Sequence, residues 1–458
     1  MTVARSAEFV NAVIKAYDVR GVVGEQIDAQ FVRDVGASFA RLMRAEGATR
    51  AVIGHDMRDS SPGLATAFAD GVLDQGLDVI HIGLASTDQL YFGSGSLECP
   101  GAMFTASHNP ARYNGIKMCR AKALPVGQDT GLATIKSEVI EGVPAYEGTR
   151  GTATEVDLLA DYAKYLRGIV DLDEVRPLTI AVDAGNGMGG HTVPAVLGTL
   201  SQLKIVPLYF ELDGSFPNHE ANPLDPKNLV DLQDLVRASG ADIGLAFDGD
   251  ADRCFVVDEK GDPVSPSAIT ALVAERELAK EPGAVIIHNL ITSHAVPELV
   301  TELGGTPVRT RVGHSFIKQE MASTGAVFGG EHSAHYYFRD FWGADSGMLA
   351  ALHVLAALGE KDRPISELMS SYATYAASGE INSTVADAKE RTMAVVEAFG
   401  SRTVSVDRLD GVTVQLPEHA WFNLRASNTE PLLRLNVEAR SPEEVDALVT
   451  EILSIVRS

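Results

Sequence analysis

Four short stretches combine residue types that can act on one substrate. The first is Thr105-Ala-Ser-His-Asn-Pro110, which follows the apolar run GAMF. It places a hydroxyl and an imidazole at the end of an expected strand, with Ser107 exposed in the turn; a plain Ser/Asn turn closed by proline is the alternative. No G-x-S-x-G elbow is present, which argues against an ordinary Ser-His-Asp hydrolase. The second is Asp248-Gly-Asp-Ala-Asp-Arg253, between IGLAF and CFVV. Carboxylates at alternate positions converge on a hard divalent cation if the backbone curls, and an octahedral Mg²⁺ site leaves positions for phosphate oxygens. Asp248, Asp250, Asp252 and Glu259 also fall at positions 1, 3, 5 and 12 of an EF-hand loop. Position 6 is Arg253, where that loop needs glycine, and the flanks read as strands. The third, Gly329-Gly-Glu-His-Ser-Ala-His335, offers Glu331, Ser333 and two imidazoles. His332 and His335 lie three apart, but no Cys or further His stands nearby at ligand spacing, so hydroxyl recognition on a sugar suits the donors better. The fourth, Arg425-Ala-Ser-Asn-Thr-Glu-Pro-Leu-Leu-Arg434, gathers Arg425, Ser427, Asn428 and Thr429 into a phosphate cradle, which Arg434 can complete. A helix cap or turn is the competing reading.

A fifth stretch suggests a rival. Gly185-Asn-Gly-Met-Gly-Gly190 matches G-x-G-x-x-G after LTIAVDA, with Glu211 and Asp213 near the place of a ribose-binding acid. A dinucleotide-dependent dehydrogenase would follow. That reading leaves the other loops idle, and the glycines can instead allow close helix–strand packing.

The elements that must carry these loops are short β-rich runs alternating with amphipathic stretches. RAVIGHD, LDVIHIGLA, LTIAVDAGN, ADIGLAFDGD and AVIIHNLI read as strands; AQFVRDVGASFARLMRAEG and KNLVDLQDLVRASG read as helices. The alternation predicts βαβ units and parallel or mixed α/β sheets. Small, polar stretches near residues 142–157, 258–268 and 370–383 mark segment boundaries, and the last segment reads as α+β. No 20–50-residue repeat is visible, so a solenoid is not expected.

Composition narrows the class. The 458 residues carry 38 Lys+Arg against 62 Asp+Glu, a formal net charge of −24. So acidic a chain lacks the basic footprint of nucleic-acid or anionic-membrane binding, and an anionic ligand needs a local cationic pocket. Three scattered cysteines, Cys99, Cys119 and Cys254, speak against a disulfide framework and for a reducing compartment. The N-terminus shows no secretory h-region, and no apolar run reaches the roughly 18–20 residues of a membrane span. The stretch around Met348–Leu358, interrupted by His353, reads as a buried core helix. A cytoplasmic protein is expected.

Taken together and in order, from Tyr17-Asp-Val-Arg-Gly21 to Arg434, these motifs resemble the α-D-phosphohexomutase superfamily, the phosphoglucomutase/phosphomannomutase group, and its bacterial phosphomannomutases most of all. The resemblance implies three related mixed α/β domains plus a smaller C-terminal α+β domain around a central active-site cleft. The domains would be 1–155 (phosphoserine), 156–258 (metal-binding), 259–372 (sugar-binding) and 373–458 (phosphate-binding). It further implies that Ser107 carries a phosphoryl group and that Asp248, Asp250 and Asp252 bind Mg²⁺ alongside it. Glu331 and Ser333 would address the sugar hydroxyls with His335 nearby, and the loop at Arg425, Ser427, Asn428 and Thr429 would hold the phosphate that is not reacting. Arg20, Lys117 and His314 would surround the reacting group or the sugar, and Arg253 would offset charge on it. Lys117, Arg20 and His108 are the candidates for proton exchange, with Lys117 first because an arginine rarely gives up its proton.

The implied reaction interconverts mannose 6-phosphate and mannose 1-phosphate through a bound 1,6-bisphosphosugar, with glucose or mannose 1,6-bisphosphate as activator. Phosphoglucomutase or dual activity is the alternative, with phosphoglucosamine mutase or a non-catalytic phosphosugar-binding protein behind it. A monomer or homodimer acting on a small phosphosugar is expected, with no nucleic-acid or membrane partner. Two departures bear on the sugar. Relatives with dual activity read GEMSGH and phosphoglucosamine mutases GEQSGH, whereas this chain has His332 and Ala334. Asn289-Leu-Ile-Thr-Ser-His294 also lacks the lysine that some phosphomannomutases place there, so any cation at that point falls to His294.

Overall fold

The computed structural model describes residues 5–15, 17–427 and 432–458. They form two compact units, Met1–Val264 with Ser333–Ser366, and Ser265–His332 with Glu367–Ser458.

The first unit opens with a six-stranded sheet. Its strands are β1 (Val19–Val22), β2 (Arg50–His55), β3 (Asp78–Leu84), β4 (Gly101–Phe104), β5 (Tyr113–Cys119) and β6 (Ala153–Glu155), in the order β1-β5-β4-β2-β3-β6. β2, β3, β4 and β6 run parallel; β5 is antiparallel to both neighbours. Helices Ala29–Ala45, Ser61–Asp74 and Leu132–Glu141 bury their apolar faces in one core with β2–β4. The longest begins where the Asp28 side chain accepts the Phe31 amide, at 2.6 Å.

A second sheet has the order β11-β10-β9-β7-β8. It uses β7 (Leu178–Asp183), β8 (Leu203–Leu208), β9 (Ile243–Phe247), β10 (Cys254–Val257) and β11 (Pro263–Val264). β7, β8 and β9 are parallel; β9, β10 and β11 turn back antiparallel. β9 and β10 are buried at every position, which is why they read as continuous apolar runs rather than alternating ones.

In the second unit β12 (Val285–Asn289) lies between β13 (Thr306–Thr310) and β14 (Phe328–Gly330), all parallel. Helices Pro266–Lys280, Ala295–Glu302 and His314–Thr324 accompany them. Ser333–Ser366 of the first unit supplies the antiparallel pair β15 (Tyr336–Phe338) and β16 (Ala344–Asp345), then helix Gly347–Gly359. That helix is buried at all its positions, as a sequence apolar on every face requires; the one interruption, His353, is taken in by stacking on Phe338.

The C-terminal part of the second unit is an antiparallel sheet in the order β17-β22-β21-β20-β19, with β18 also on β22. The strands are β17 (Ala376–Ala377), β18 (Ile381–Thr384), β19 (Ser405–Asp407), β20 (Val412–Gln415), β21 (Trp421–Ala426) and β22 (Leu432–Ala439). Helices Ala388–Ala398 and Pro442–Val456 pack on it around their own apolar cluster, an α+β arrangement. Among the described residues no helix is long and apolar enough to cross a membrane.

Candidate active site

In the first unit each chemical loop leaves the end of a strand. β4 delivers the serine loop, and Ser107 sits in the left-handed region at φ 49°. Only a loop held from several sides keeps a serine there. The Thr105 hydroxyl accepts the Ser107 amide at 2.9 Å. Arg58, 1% exposed, holds the rest. Its guanidinium donates to the carbonyls of Ser107 (2.8 Å), Asn109 (2.7 Å), Pro110 (3.0 Å) and Tyr113 (3.1 Å), and its Nε to Asp56 at 3.2 Å.

β9 delivers the second loop. Asp248, Asp250 and Asp252 are buried, and one oxygen from each falls in a cluster spanning at most 4.8 Å. Their partners are unequal. Asp248 Oδ2 accepts from Ser107 Oγ (2.8 Å) and from Arg253 Nη2 (2.8 Å) and Nε (3.0 Å). The Lys117 ammonium, on β5, donates to Asp250 Oδ2 at 2.7 Å and Asp252 Oδ2 at 2.6 Å. Asp250 Oδ1 and Asp252 Oδ1 are buried without any hydrogen-bond partner. Bare carboxylate oxygens are costly unless a cation takes them, so the donor set fits a hard divalent ion such as Mg²⁺.

Charge follows this geometry. Burial pushes Asp248 up to about 7, with the neighbouring aspartates adding to it and Arg253 opposing. Burial also acts to raise Asp250, but the Lys117 ammonium outweighs it and holds that carboxyl below the usual range. Lys117 is itself raised: burial works against its charge, and Asp250, Asp252 and Asp345 overcome that. In this arrangement Lys117 is a firm proton holder, so accepting a proton requires those carboxylates to turn elsewhere. His108 is the reverse case. Burial, then Arg253 and Arg20, push it well below 6.5, so the ring is neutral. Its Nδ1 accepts from Arg253 Nη2 and lies 3.2 Å from Ser107 Oγ. Arg20 donates to Asn109 of the serine loop at 2.6 Å and to Asp18 at 2.7 Å, and its buried Nε has no hydrogen-bond partner. His335 Nε2 is 4.0 Å from Asp252 Oδ1, and its Nδ1 is 3.0 Å from Ser333 Oγ. Ser107, His108, Arg20, Lys117, the three aspartates, Arg253 and His335 therefore form one constellation.

The glycine loop has a different task from the one its pattern suggests. It follows β7, where Asp183 Oδ1 accepts the Gly185 amide at 2.8 Å. Met188 N donates to Gly249 O at 2.9 Å, and a Cβ on Gly187 would stand 2.7 Å from that same oxygen. A Cβ on Gly249 would in turn lie 2.4 Å from Ser107 O. Three backbones are thus stacked in direct contact: glycine loop, metal loop, serine loop. Glu211 takes part through its carbonyl, which accepts from Asn186 Nδ2 at 2.8 Å, and Asp213 caps its own turn at Ser215. The dinucleotide reading finds no support here, because the face at Gly187 is filled.

The second unit holds the remaining candidates. Glu331 is buried, and its Oε1 accepts from Asn289 Nδ2 (3.1 Å) and Gly313 N (3.2 Å), one residue before His314 opens its helix. His332 Nδ1 lies 3.2 Å from Ser267 Oγ, which also accepts the Ser293 amide at 3.1 Å. Burial lowers His332. His294 stacks on Trp421, and its amide donates to Glu438 at 3.0 Å. Burial lowers it as well, against the pull of Glu438 and Glu298, and so works against a charged ring there. Arg425 and Arg434 face each other across β21 and β22. Like charges so paired repel, and Glu380 lies between them at 3.5 and 3.4 Å. Both buried Nε atoms lack hydrogen-bond partners. The Ser427 amide donates to Leu432 O at 2.8 Å. Asn428 and Thr429 lie outside the described residues.

Sequence reading passed over Arg58, Thr87, Asp88 and Glu380, and took Asn289 only as the start of the segment that ends at His294. Only Arg58 carried a usable signal, a charged HDMR run directly after a strand; the others are placed by distant parts of the chain.

Four family models match in order: phosphoglucomutase/phosphomannomutase alpha/beta/alpha domain I over residues 11–142, domain II over 160–261, domain III over 265–375 and the C-terminal domain over 380–455. The chain is 40% identical over 435 residues to a phosphomannomutase of Escherichia coli K12, covering 93% of this chain and 94% of that protein. It is also 40% identical over 430 residues to a protein of Xanthomonas campestris named phosphohexose mutases, with 93% and 94% covered. Among solved structures, a phosphoglucomutase/phosphomannomutase family protein of Burkholderia thailandensis superposes with a TM-score of 0.88 at 31% identity, over 97% of this chain and 98% of that one.

Proposed function

The chain belongs to the phosphoglucomutase/phosphomannomutase family, the α-D-phosphohexomutases, and from that premise we propose that it is a phosphomannomutase in which Ser107 is the phosphoryl carrier. The observation that supports this most is the Ser107 hydroxyl, 2.8 Å from Asp248, beside two aspartates with bare, buried oxygens. A carrier serine needs a cation at its phosphate, and the residues for both stand together.

In the proposed reaction the bond between Ser107 Oγ and phosphorus breaks as O1 of mannose 6-phosphate bonds to that phosphorus. The O1 proton leaves to a nearby group: Lys117 first, once Asp250 and Asp252 turn from it and it has shed its own proton, with His108 and Arg20 behind it. The product is mannose 1,6-bisphosphate and a free serine. The sugar then turns about half a revolution, Oγ attacks the phosphorus on O6, and mannose 1-phosphate leaves. When bound, a divalent cation supplies positive charge to the transferring oxygens. Arg253, fixed on Asp248 and His108, adds the charge of its guanidinium beside the carboxylate that Ser107 contacts. Glu331, Ser333, His335 and His314 address the sugar, and Arg425, Ser427, Asn428, Thr429 and Arg434 hold the other phosphate.

We assign the segments 1–155, 156–258, 259–372 and 373–458 to serine, metal, sugar and phosphate functions. Glucose or mannose 1,6-bisphosphate re-primes an empty serine. Buried free cysteines support a cytoplasmic location, and the net charge of −24 supports the lack of nucleic-acid or anionic-membrane partners; a monomer or homodimer is part of the same proposal.

The test is a Mg²⁺-dependent assay primed with glucose 1,6-bisphosphate, comparing kcat/KM for mannose, glucose and glucosamine 1-phosphates. Mannose at or above glucose is expected. Glucose far ahead would make the protein a phosphoglucomutase. No turnover of any of them, with Ser107 phosphorylated by mass spectrometry, would make it a binding protein.

A further inference from the structure

One short turn outside all the sequence motifs grips the metal loop at two points. Helix Thr87–Ser96 starts at Ser86, whose hydroxyl oxygen accepts the Gln89 amide at 3.2 Å. Its first residue makes two bonds to Asp250. The Thr87 hydroxyl donates to Asp250 Oδ2 at 2.6 Å, and the Thr87 amide donates to the Asp250 carbonyl at 3.0 Å. Oδ2 is therefore occupied twice, by Thr87 and Lys117, while Oδ1 is left with nothing. A carboxylate rotates freely about its Cβ–Cγ bond unless something fixes it. Here the hydroxyl, together with Lys117, fixes which oxygen is bare and where it points.

The next residue anchors the turn. Asp88 is fully buried and accepts three hydroxyl bonds, from Ser86, from Tyr162 at 2.7 Å and from Ser346 at 2.7 Å. Ser346 caps helix Gly347–Gly359, and Gly347 lies so close to Arg253 that a Cβ there would be 2.6 Å from the Arg253 carbonyl carbon. Thr87 thus reaches the metal loop at Asp250, and Asp88 reaches its far end through Ser346.

We infer that Thr87 is a positioning residue for the cation site, orienting Asp250, and that Asp88 is the buried strut that keeps Thr87 in place. The inference rests on the assignment of Asp248, Asp250 and Asp252 as cation ligands. Hydrogen-bond partners of metal ligands typically change affinity by about 10–100-fold when lost.

The experiment measures Mn²⁺ binding directly, by electron paramagnetic resonance and calorimetry, on the full-length protein and on Thr87→Val, Thr87→Ser and Asp250→Asn. Unfolding in EDTA is followed in parallel. Thr87→Val keeps the shape and loses the donor, so Mn²⁺ affinity should fall by about 10–100-fold. The EDTA melting curve should move little, because the main-chain bond to Asp250 survives. Thr87→Ser should restore affinity to within a few-fold. Thr87→Val binding Mn²⁺ as the unmodified protein does, while Asp250→Asn does not, overturns the inference and leaves the metal assignment standing. An unmodified protein that binds no Mn²⁺ overturns both. If valine prevents folding, Thr87→Ala and Thr87→Ser carry the same comparison, and equal affinity in both overturns the inference.

Discussion

Arg58 gives its guanidinium to four main-chain carbonyls between residues 107 and 113, and its Nε to Asp56. No neutral side chain reaches so many acceptors, and a lysine offers three donors from one point instead of a planar fork. Arg58→Lys leaves several buried carbonyls and Asp56 poorly paired, so a loss of about 3 kcal/mol is expected. A melting point unchanged from the parent protein would refute it. Turnover should fall too, since Ser107 is held in its left-handed conformation by the same bonds. The four motif loops were legible in sequence because their residue types are local and adjacent. Arg58 was half legible, as a charge after a strand. Thr87 and Asp88 were not, because Asp250, Tyr162 and Ser346, the partners that tie them to the rest of the fold, lie more than 70 positions away and leave no local trace; only Ser86 is a local partner of Asp88.

At the scale of elements, the glycine loop, the metal loop and the serine loop are stacked backbone on backbone. Gly249→Ala would place a methyl 2.4 Å from the Ser107 carbonyl, where only main chain can give way. Displacing a reacting group by about 1 Å costs around 10²-fold. A drop in kcat of that order is expected, with circular dichroism unchanged; full activity would show that the loops yield more easily than their contacts imply. The sequence pattern at Gly185–Gly190 correctly announced a tight turn after a strand. It could not say whether the face so exposed meets a pyrophosphate or another loop, since both require a missing side chain. The alternation of strands and helices was readable for a simpler reason: β9, β10 and helix Gly347–Gly359 are buried throughout, and their composition states it.

Across the whole molecule, pH and thiol chemistry report on folding. His288 is fully buried in β12, and burial lowers it from 6.5 to about 4. A histidine lowered by folding stabilises the native state fully above 6.5, and that contribution is lost as pH falls toward 4. The difference amounts to about 3 kcal/mol. The melting temperature should therefore decline between pH 6.5 and 4, and less steeply in His288→Asn; equal slopes would remove His288 from the account. The three cysteines are buried, and burial pushes Cys99 up to about 12. They should be inert to a thiol reagent at pH 8 and all react in denaturant. A thiol that reacts promptly in the native protein would contradict the packing around it.

The bare contact between Gly187, Gly249 and Ser107 has a consequence for how the protein tolerates change. Catalytic positions can sometimes accept a chemically similar replacement, because what matters there is a functional group. At Gly187 and Gly249 what matters is the absence of one, and nothing is smaller than hydrogen. A saturation scan should therefore find its most intolerant sites partly among residues that touch no substrate. Any attempt to graft the serine and metal loops onto another scaffold would fail unless those two empty places were carried with them.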